Sequence, residues 1–549
     1  MSKTHSVEFK LFAPYNEKAS LVGCFSNWEE IPMKKDDRGY FRTQVDLEDG
    51  TYEYKFCVQS LSWFFEEKDR WVTVTDPYAT DINDSNDNSI VNIKEGNAIG
   101  DTYVWQDDDT PLPANEELVI YELFVAGFEE KRGKLEGTFQ DVIDKLDYLQ
   151  DLGINAIELL PMQEYPGDFH QGYNPRHYFA VETSYGHSED LKRLIDNCHK
   201  RGIRFIMDGI FNHSDTECPL THIDHDYWYH HDPQHEPENT WGPEFNYEHY
   251  DEKLDIKPAW EYIGNVIEFW IKEFHIDGIR FDAVRQIDNF DFLYWVTQRT
   301  REIASMKPFF NMAEYIPESA DVAGFEGPMD ACWHESFRQV VIAHVCGDRF
   351  DLENLKDVID GRRQGYEGTT SVINYISTHD GGHIMAALGE RKIFEEPAFR
   401  RAKLGAVILM TALGVPLMWM GSELGEYSNY HDKPMDWTFL KNDLNCNLLD
   451  YYKGLIHLRK TNPALRTDNL DFFYEDPEAK VLAYTRWNDE GDRVVVVANF
   501  SDQFLGEYHV PHFPTSGTWH EWTLDYHVEV HDNQLVFDLG PWEAQIFLG

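Results

Sequence analysis

Positive charge is scarce in this chain. Its 549 residues hold 48 lysines and arginines against 98 aspartates and glutamates, a formal net charge of −50. A surface that negative repels phosphate backbones and anionic lipid heads. Nucleic-acid and membrane-surface partners are therefore disfavoured, and a neutral or cationic partner is easier to accommodate. Cysteine is scarce too: Cys24, Cys57, Cys198, Cys218, Cys332, Cys346 and Cys446 are scattered, odd in number and without a CxxC pair. A disulfide framework or a structural zinc site does not fit that spacing. No basic segment leading into an apolar one opens the sequence, so no signal peptide is read and a cytoplasmic location is expected. Residues 404–422 carry no charge over 19 positions, close to the length of a membrane span. They contain Gly405, Gly414 and Pro416 and stand alone, so they read as a buried helix followed by a buried strand. There is no GxGxxG after a strand and no GxxxxGK[ST], which removes dinucleotide and phosphate-loop chemistry. No internal repeat is apparent.

What is present is apolar and aromatic residue in quantity, 42% and 15% of the chain, enough for large cores. The length exceeds the roughly 250–300 residues that one core supports, and three domains are read. In the first, 1–105, short β-branched and aromatic runs at 6–13, 18–24, 40–45 and 51–58 alternate with turns, the pattern of a β-sandwich. The polar, proline-bearing stretch 98–117 reads as a linker. In the second, 106–465, apolar runs alternate with amphipathic helical segments. About eight such units suit a (β/α)8 barrel, a TIM barrel, in an α/β chain. A short insertion at 215–253 interrupts it, and the third domain, 466–549, returns to all-β as a C-terminal sandwich.

Barrel enzymes carry their chemistry at the C-terminal ends of strands. Four of the predicted strands end in a cluster of chemistry-bearing residues: Asp208, Asn212 and His213; Arg280 and Asp282; Glu314; and His379 with Asp380. Arg280 and Asp282 are two apart and share a strand face, so the arginine is expected to keep Asp282 ionised. Glu314, on another strand, stays protonated if desolvated beside a like charge. A nucleophile and an acid/base of this kind, about 5–5.5 Å apart, are what retaining glycoside hydrolysis requires. A single acid or histidine at a strand end is more often a cap or a solvated loop residue. The full set at four separate ends is a far rarer coincidence.

The motifs Asp208-Gly209-Ile210-Phe211-Asn212-His213, Gly278-Ile279-Arg280-Phe281-Asp282-Ala283-Val284, Ala313-Glu314 and Ser377-Thr378-His379-Asp380 resemble, in order and spacing, the four signature regions of the α-amylase superfamily, glycoside hydrolase family 13. The resemblance implies Asp282 as nucleophile, Glu314 as general acid/base and Asp380 as transition-state stabiliser. It implies that Arg280, His213 and His379 line the site of the cleaved sugar and that Tyr173, in Gly172-Tyr173-Asn174-Pro175, stacks beneath it. Asp208 would orient Arg280. Val22-Gly23-Cys24-Phe25-Ser26-Asn27-Trp28 and Tyr52-Glu53-Tyr54-Lys55-Phe56 resemble the N-terminal sandwich of branching, debranching and trehalose-releasing members. Trp28 and Trp63 are then candidates for stacking on glucan, with a core role favoured for Trp28. The partner implied is an α-glucan polymer or oligosaccharide.

Below the family level the resemblance divides. Residues 172–180 look like debranching enzymes, whereas 241–246 and 420–425 look like branching and trehalose-releasing enzymes. With no complete branching or debranching pattern, α-amylase-like endo-hydrolysis of α-1,4 bonds is favoured, ahead of branching transfer and then α-1,6 debranching. A non-catalytic glucan-binding scaffold is the rival from another class. His222, Asp224, His225, Asp226, His230, His231 and His235 lie in the insertion but match no zinc template and read as a solvated loop. No metal or cofactor is assigned, although the resemblance leaves calcium open at Asn212.

Overall fold

Strand alternation builds the first unit. In His5–Phe12, Val7, Phe9 and Leu11 are buried while the residues between them face outward. This strand pairs antiparallel with Tyr40–Leu47. A second sheet is centred on Gly50–Gln59, flanked by Ala19–Gly23 and Asn88–Lys94. Leu21, Phe56 and Val58 fill the space between the sheets, joined by Ile223 from the central domain. The computed structural model describes residues 4–65, 70–129, 134–234, 241–305, 307–428 and 433–549.

Trp28 is not a core residue, contrary to the sequence reading. Its backbone N–H closes onto the Gly23 carbonyl with φ at 63°, and this tight turn throws the indole into solvent at 43% exposure. The expected linker is also more ordered than its composition suggests. Asp196 accepts from the Tyr103 hydroxyl and from the backbone N–H groups of Gln106 and Asp107. Trp105 stacks on His275 with ring centroids 4.1 Å apart. The segment is thereby strapped along the outside of the barrel.

The central domain is a closed barrel of eight parallel strands. They are β1 (Ile120–Leu123), β2 (Ala156–Leu159), β3 (Arg204–Gly209), β4 (Gly278–Phe281), β5 (Phe310–Ala313), β6 (Ala331–Trp333), β7 (Val372–Tyr375) and β8 (Val415–Trp419). Helices cover the outside: Phe139–Leu152 buries Phe139, Val142, Leu146, Leu149 and Leu152, and Pro258–Phe274 buries its Tyr262, Ile263, Val266, Ile267 and Trp270 face. The uncharged stretch resolves into the end of helix Glu395–Thr411 and strand β8, both buried. Among the described residues no helix is long and apolar enough to cross a membrane. The insertion after β3 holds a helix, Pro219–Trp228, which the sequence reading left as loop. All seven cysteines are free thiols.

Beyond helix Asp443–Thr461, a six-stranded antiparallel sheet and a two-stranded one enclose Val495, Val497, Phe513, Trp519, Leu535 and Phe547. Two fully buried arginines tie this unit to the barrel. Arg459 donates to the carbonyls of Met410 and Gly414. Arg486, from strand Val481–Trp487, donates to the carbonyls of Thr411, Ala412, Leu465 and Thr467. Each guanidinium thus satisfies backbone carbonyls that the end of helix Glu395–Thr411 leaves open. Replacing Arg486 by Met keeps the apolar stem and removes the donors. A buried carbonyl left unpaired costs about 1–3 kcal/mol, so R486M is expected to lower the thermal midpoint by about 4 °C or more. A circular-dichroism melt checks this, and a midpoint unchanged within a degree would mean that those carbonyls find other partners.

Candidate active site

The register that packs the barrel interior also aims the polar residues. Ile120, Ala156, Ile206, Phe310, Met312, Trp333, Tyr375 and Leu417 form its apolar lower layers. Two residues further along the same strands the inward position becomes polar: Glu122 on β1, Glu158 on β2, Asp208 on β3 and, past Met312, Glu314 after β5. Arg280 points inward from β4 and Asp282 follows it by two.

Arg280 is the centre of the arrangement. It is fully buried, and its Nη1 donates to Asp208 Oδ1 and to Asp282 Oδ1, each at 2.7 Å. Its Nη2 lies 3.1 Å from Glu314 Oε2, and its guanidinium lies over the Trp333 ring at 4.6 Å. Burial alone would weaken its charge, but Asp208, Glu314 and Asp282 outweigh that and raise its affinity for the proton. After Asp282 the chain turns sharply: Ala283 sits at φ 49°, a left-handed conformation uncommon without glycine. That turn directs the Ala283 N–H onto Glu314 Oε2 at 2.9 Å. Both candidate catalytic carboxyls are therefore held by one guanidinium and one strained turn.

One cation shared among three carboxylates leaves a surplus of negative charge. Burial pushes the Asp282 carboxyl well above the usual carboxylate range; Arg280 draws it down, while Glu314 and Asp208 push it up. Burial also raises Asp208, against Arg280 and the Tyr173 hydroxyl, which donates to its Oδ2 at 2.6 Å. Arg280 therefore does not act alone on Asp282: burial, Glu314 and Asp208 oppose it.

The other predicted residues gather around this centre. The Asp380 side chain is 64% exposed at the mouth, its Oδ2 3.3 Å from His379 Nε2. His379 is buried and stacks on Tyr173 with centroids 5.1 Å apart and ring planes 12° from parallel. His213 is buried, and burial lowers its proton affinity. Its Nε2 lies 2.9 Å from the Tyr173 carbonyl, and its Nδ1 is 3.4 Å from the Asn212 amide nitrogen. A carbonyl only accepts, so the proton sits on Nε2. His213 therefore holds the Tyr173 backbone with that N–H while it lines the cavity.

Tyr173, Asn174, His213, Trp241, Asp282, Gln286, Glu314, His379 and Asp380 line a cavity of about 480 Å³. Larger hollows exist, one of about 1010 Å³ between the N-terminal unit and the barrel, but none gathers these carboxylates. Trp241 is shared with an adjoining cleft of about 600 Å³, whose other wall carries Trp63 and Phe64 of the N-terminal unit. Trp63 is 53% exposed, and its indole N–H donates to His225 Nδ1 at 3.2 Å. The histidines of the insertion have such local partners: His225 and His231 both contact Asp226, and His222 contacts Glu217. His235 lies outside the described residues. Among the described residues no three His, Cys, Asp or Glu side chains are grouped to hold a metal. Asn212 is buried, with its amide nitrogen 3.4 Å from His213 Nδ1.

Sequence reasoning missed Glu122 and Glu158. Both are buried, and Glu122 Oε1 lies 2.5 Å from His379 Nδ1. The available signal was an acid inside an otherwise apolar run, in 118–124 and 154–160. Such a residue must point into a barrel with a polar floor or face a partner charge.

Three family descriptions match successive parts of the chain. Residues 1–79 match carbohydrate-binding module 48, the isoamylase N-terminal domain; 122–349 match the alpha-amylase catalytic domain; and 474–547 match the alpha-amylase C-terminal all-beta domain. A malto-oligosyltrehalose trehalohydrolase of Saccharolobus solfataricus is 27% identical, the match covering 83% of this chain and 85% of that protein. A 1,4-alpha-glucan branching enzyme of Oceanobacillus iheyensis is 25% identical, covering 93% and 85%. A type I pullulanase of Bacillus subtilis, solved with maltose, superposes with a TM-score of 0.82 at 19% identity, covering all of this chain and 85% of that one; this likeness concerns the fold. With the four motifs meeting at one barrel mouth between the two flanking sheet domains, the chain belongs to the α-amylase superfamily, glycoside hydrolase family 13, and is a glycosidase or transglycosidase of that family.

Proposed function

We propose that the chain cleaves α-1,4-glucosidic bonds within α-glucan chains by double displacement with retention. The observation that carries this reading is the pair Asp282 and Glu314 on one buried guanidinium, with Asp380 at the mouth. Asp282 attacks the anomeric carbon as the leaving oxygen takes the proton of Glu314, and an ester to Asp282 forms. Glu314, now bare, takes a proton from water; the water oxygen attacks the anomeric carbon and frees Asp282. The first step requires the acid form of Glu314 and the carboxylate form of Asp282. Asp380 faces the positive charge that develops on the sugar ring.

The lining supports a neutral substrate. Arg280 is fully buried and engaged with carboxylates, and among the described residues no lysine or other arginine lines the cavity, so the lining favours an uncharged ligand over an anionic one. The aromatic cleft from Trp241 to Trp63 supports a chain longer than one or two sugars. The named relatives act on maltooligosyltrehalose and on 1,4-alpha-glucan, substrates of the same class. Seven free thiols fit a reducing compartment, and we place the enzyme in the cytoplasm.

Incubation with amylose, glycogen, maltooligosyltrehalose and a defined linear maltooligosaccharide tests the bond. New reducing ends from amylose and internal cleavage of the oligosaccharide are expected. Release of trehalose as the main reaction, loss of iodine colour without new reducing ends, or activity on branched glucan alone would each replace endo-hydrolysis by the activity it reports. D282N is expected to cut kcat by about 10⁴-fold or more while glucan still binds; near-normal turnover would remove Asp282 as the nucleophile. An aromatic face contributes on the order of 1 kcal/mol, so W63A is expected to lower kcat/KM on amylose about fivefold and to leave maltotriose unaffected. An equal loss on both substrates would mean that Trp63 supports the fold and not the polymer.

A further inference from the structure

Glu122 is a buried acid beside the site for which the mechanism above has no use. We propose that Glu122 is a positioning residue: its carboxylate grips His379 by the ring and by the backbone at once, and so keeps the far ring nitrogen a donor facing the sugar. This rests on the proposed glycosidase reading and names a residue that serves it.

The grip is bidentate. Glu122 Oε2 accepts from the His379 backbone N–H at 3.1 Å, and Oε1 lies 2.5 Å from Nδ1. Glu122 itself is anchored by the main chain, its carbonyl accepting from the Met420 N–H on the β8 side. The His379 ring is confined by Tyr173 on its face and by the edges of Trp333 and Trp419, each with its centroid 6.2 Å away. The remaining nitrogen, Nε2, looks out toward Asp380.

Proton counting gives the consequence. A neutral imidazole has one N–H. The carboxylate of Glu122 claims that proton at Nδ1, which would leave Nε2 a bare acceptor pointed at the acceptor oxygens of Asp380. Only the imidazolium satisfies both ends and offers an N–H to a sugar hydroxyl. The charges around the ring favour that form. Glu122 on β1, Glu158 on β2, Asp208 on β3 and the neighbouring Asp380 are acids, and Arg280 on β4 is the one opposing cation. Burial acts against the charged ring, but Glu122 and Asp380 overcome it and hold His379 up at about 9. The ordinary value is 6.5. The contribution of the raised His379 is therefore fully present at about pH 6.5 and is lost as pH rises through about 9, while at the acid end burial, which raises Glu122, sets where the pair is lost.

The test is E122Q in the full chain. Glutamine keeps the shape and an oxygen for Nδ1 but removes the charge. Two readouts are taken: imidazole nitrogen NMR of His379, assigned by its loss in H379N, and the pH profile of kcat/KM on a linear maltooligosaccharide. In the parent, His379 is expected to be doubly protonated at neutral pH and to titrate near 9. In E122Q it is expected to titrate at or below the ordinary 6.5, with the alkaline limb of kcat/KM moving down with it. The loss above neutral pH is expected to be about tenfold or more, with partial recovery in E122D. An E122Q protein whose His379 titration and alkaline limb match the parent would overturn the proposal. So would a parent protein whose His379 is already neutral at pH 7, a measurement that decides the matter even if E122Q does not fold. Absence of turnover on every α-glucan would sink the glycosidase reading alone, since the NMR titration still reports on Glu122.

Discussion

Everything at the barrel mouth depends on a guanidinium with no access to water. Burying an arginine is tolerable only when its charge is met. Arg280 meets it with Asp208 and Asp282 on one nitrogen and Glu314 near the other. That requirement draws three carboxyls from three different strands to one point. One positive charge does not neutralise three negative ones, and burial with the neighbouring acids raises the proton affinity of Asp282 and Asp208 against the pull of Arg280.

The N-terminal unit is not a loose attachment to that site. Segment 60–64 is pinned to helix Pro219–Trp228 through Leu61 N–H to the Ile223 carbonyl and Ser60 Oγ to the His222 carbonyl. On the other face, Asn16 donates to the Ile223 carbonyl as well. The acceptors are main-chain carbonyls of the helix, so the docking does not depend on the side chains at 222 and 223. Trp63 consequently stands at a fixed place relative to Trp241, which itself packs near His213 at 5.6 Å. The cleft wall on that side is built jointly by two domains, although its aromatic residues are 178 positions apart in sequence (241 minus 63).

The strand ends were legible because a period-two pattern carries a residue's face from core to mouth. Once 278–281 reads as a buried strand, Arg280 and Asp282 share its inward face by arithmetic. Glu122 and Glu158 obey the same arithmetic, yet each appears as one acid in an apolar run with no neighbouring motif, and its partner sits in a different strand. Trp28 and the strap around Trp105 failed for a related reason. Composition reports what a segment prefers on average, whereas a turn onto the Gly23 carbonyl or a carboxylate such as Asp196 waiting on the barrel surface belongs to the assembled fold. His213 shows the limit for site residues: its placement at the mouth was legible, but the carbonyl that consumes its proton was not.

A mouth built from carboxylates creates a shortage of donors. A glucose unit presents hydroxyls that must both give and accept hydrogen bonds, while a mouth lined by Asp282, Glu314 and Asp380 chiefly accepts. The His213 N–H is turned to the Tyr173 carbonyl. The Asn174 amide, oriented to satisfy its surroundings, donates to the carbonyls of Tyr173 and Trp241. Among the described residues, the side-chain donors along the lining include the indole of Trp241, the amide of Gln286 and the His379 ring. Of these only His379 sits against the carboxylate cluster itself and is braced from behind by a buried acid. In a protein with twice as many acids as bases, negative charge at the surface repels polyanions, but negative charge beneath the site has a narrower use: it keeps a scarce donor charged and aimed.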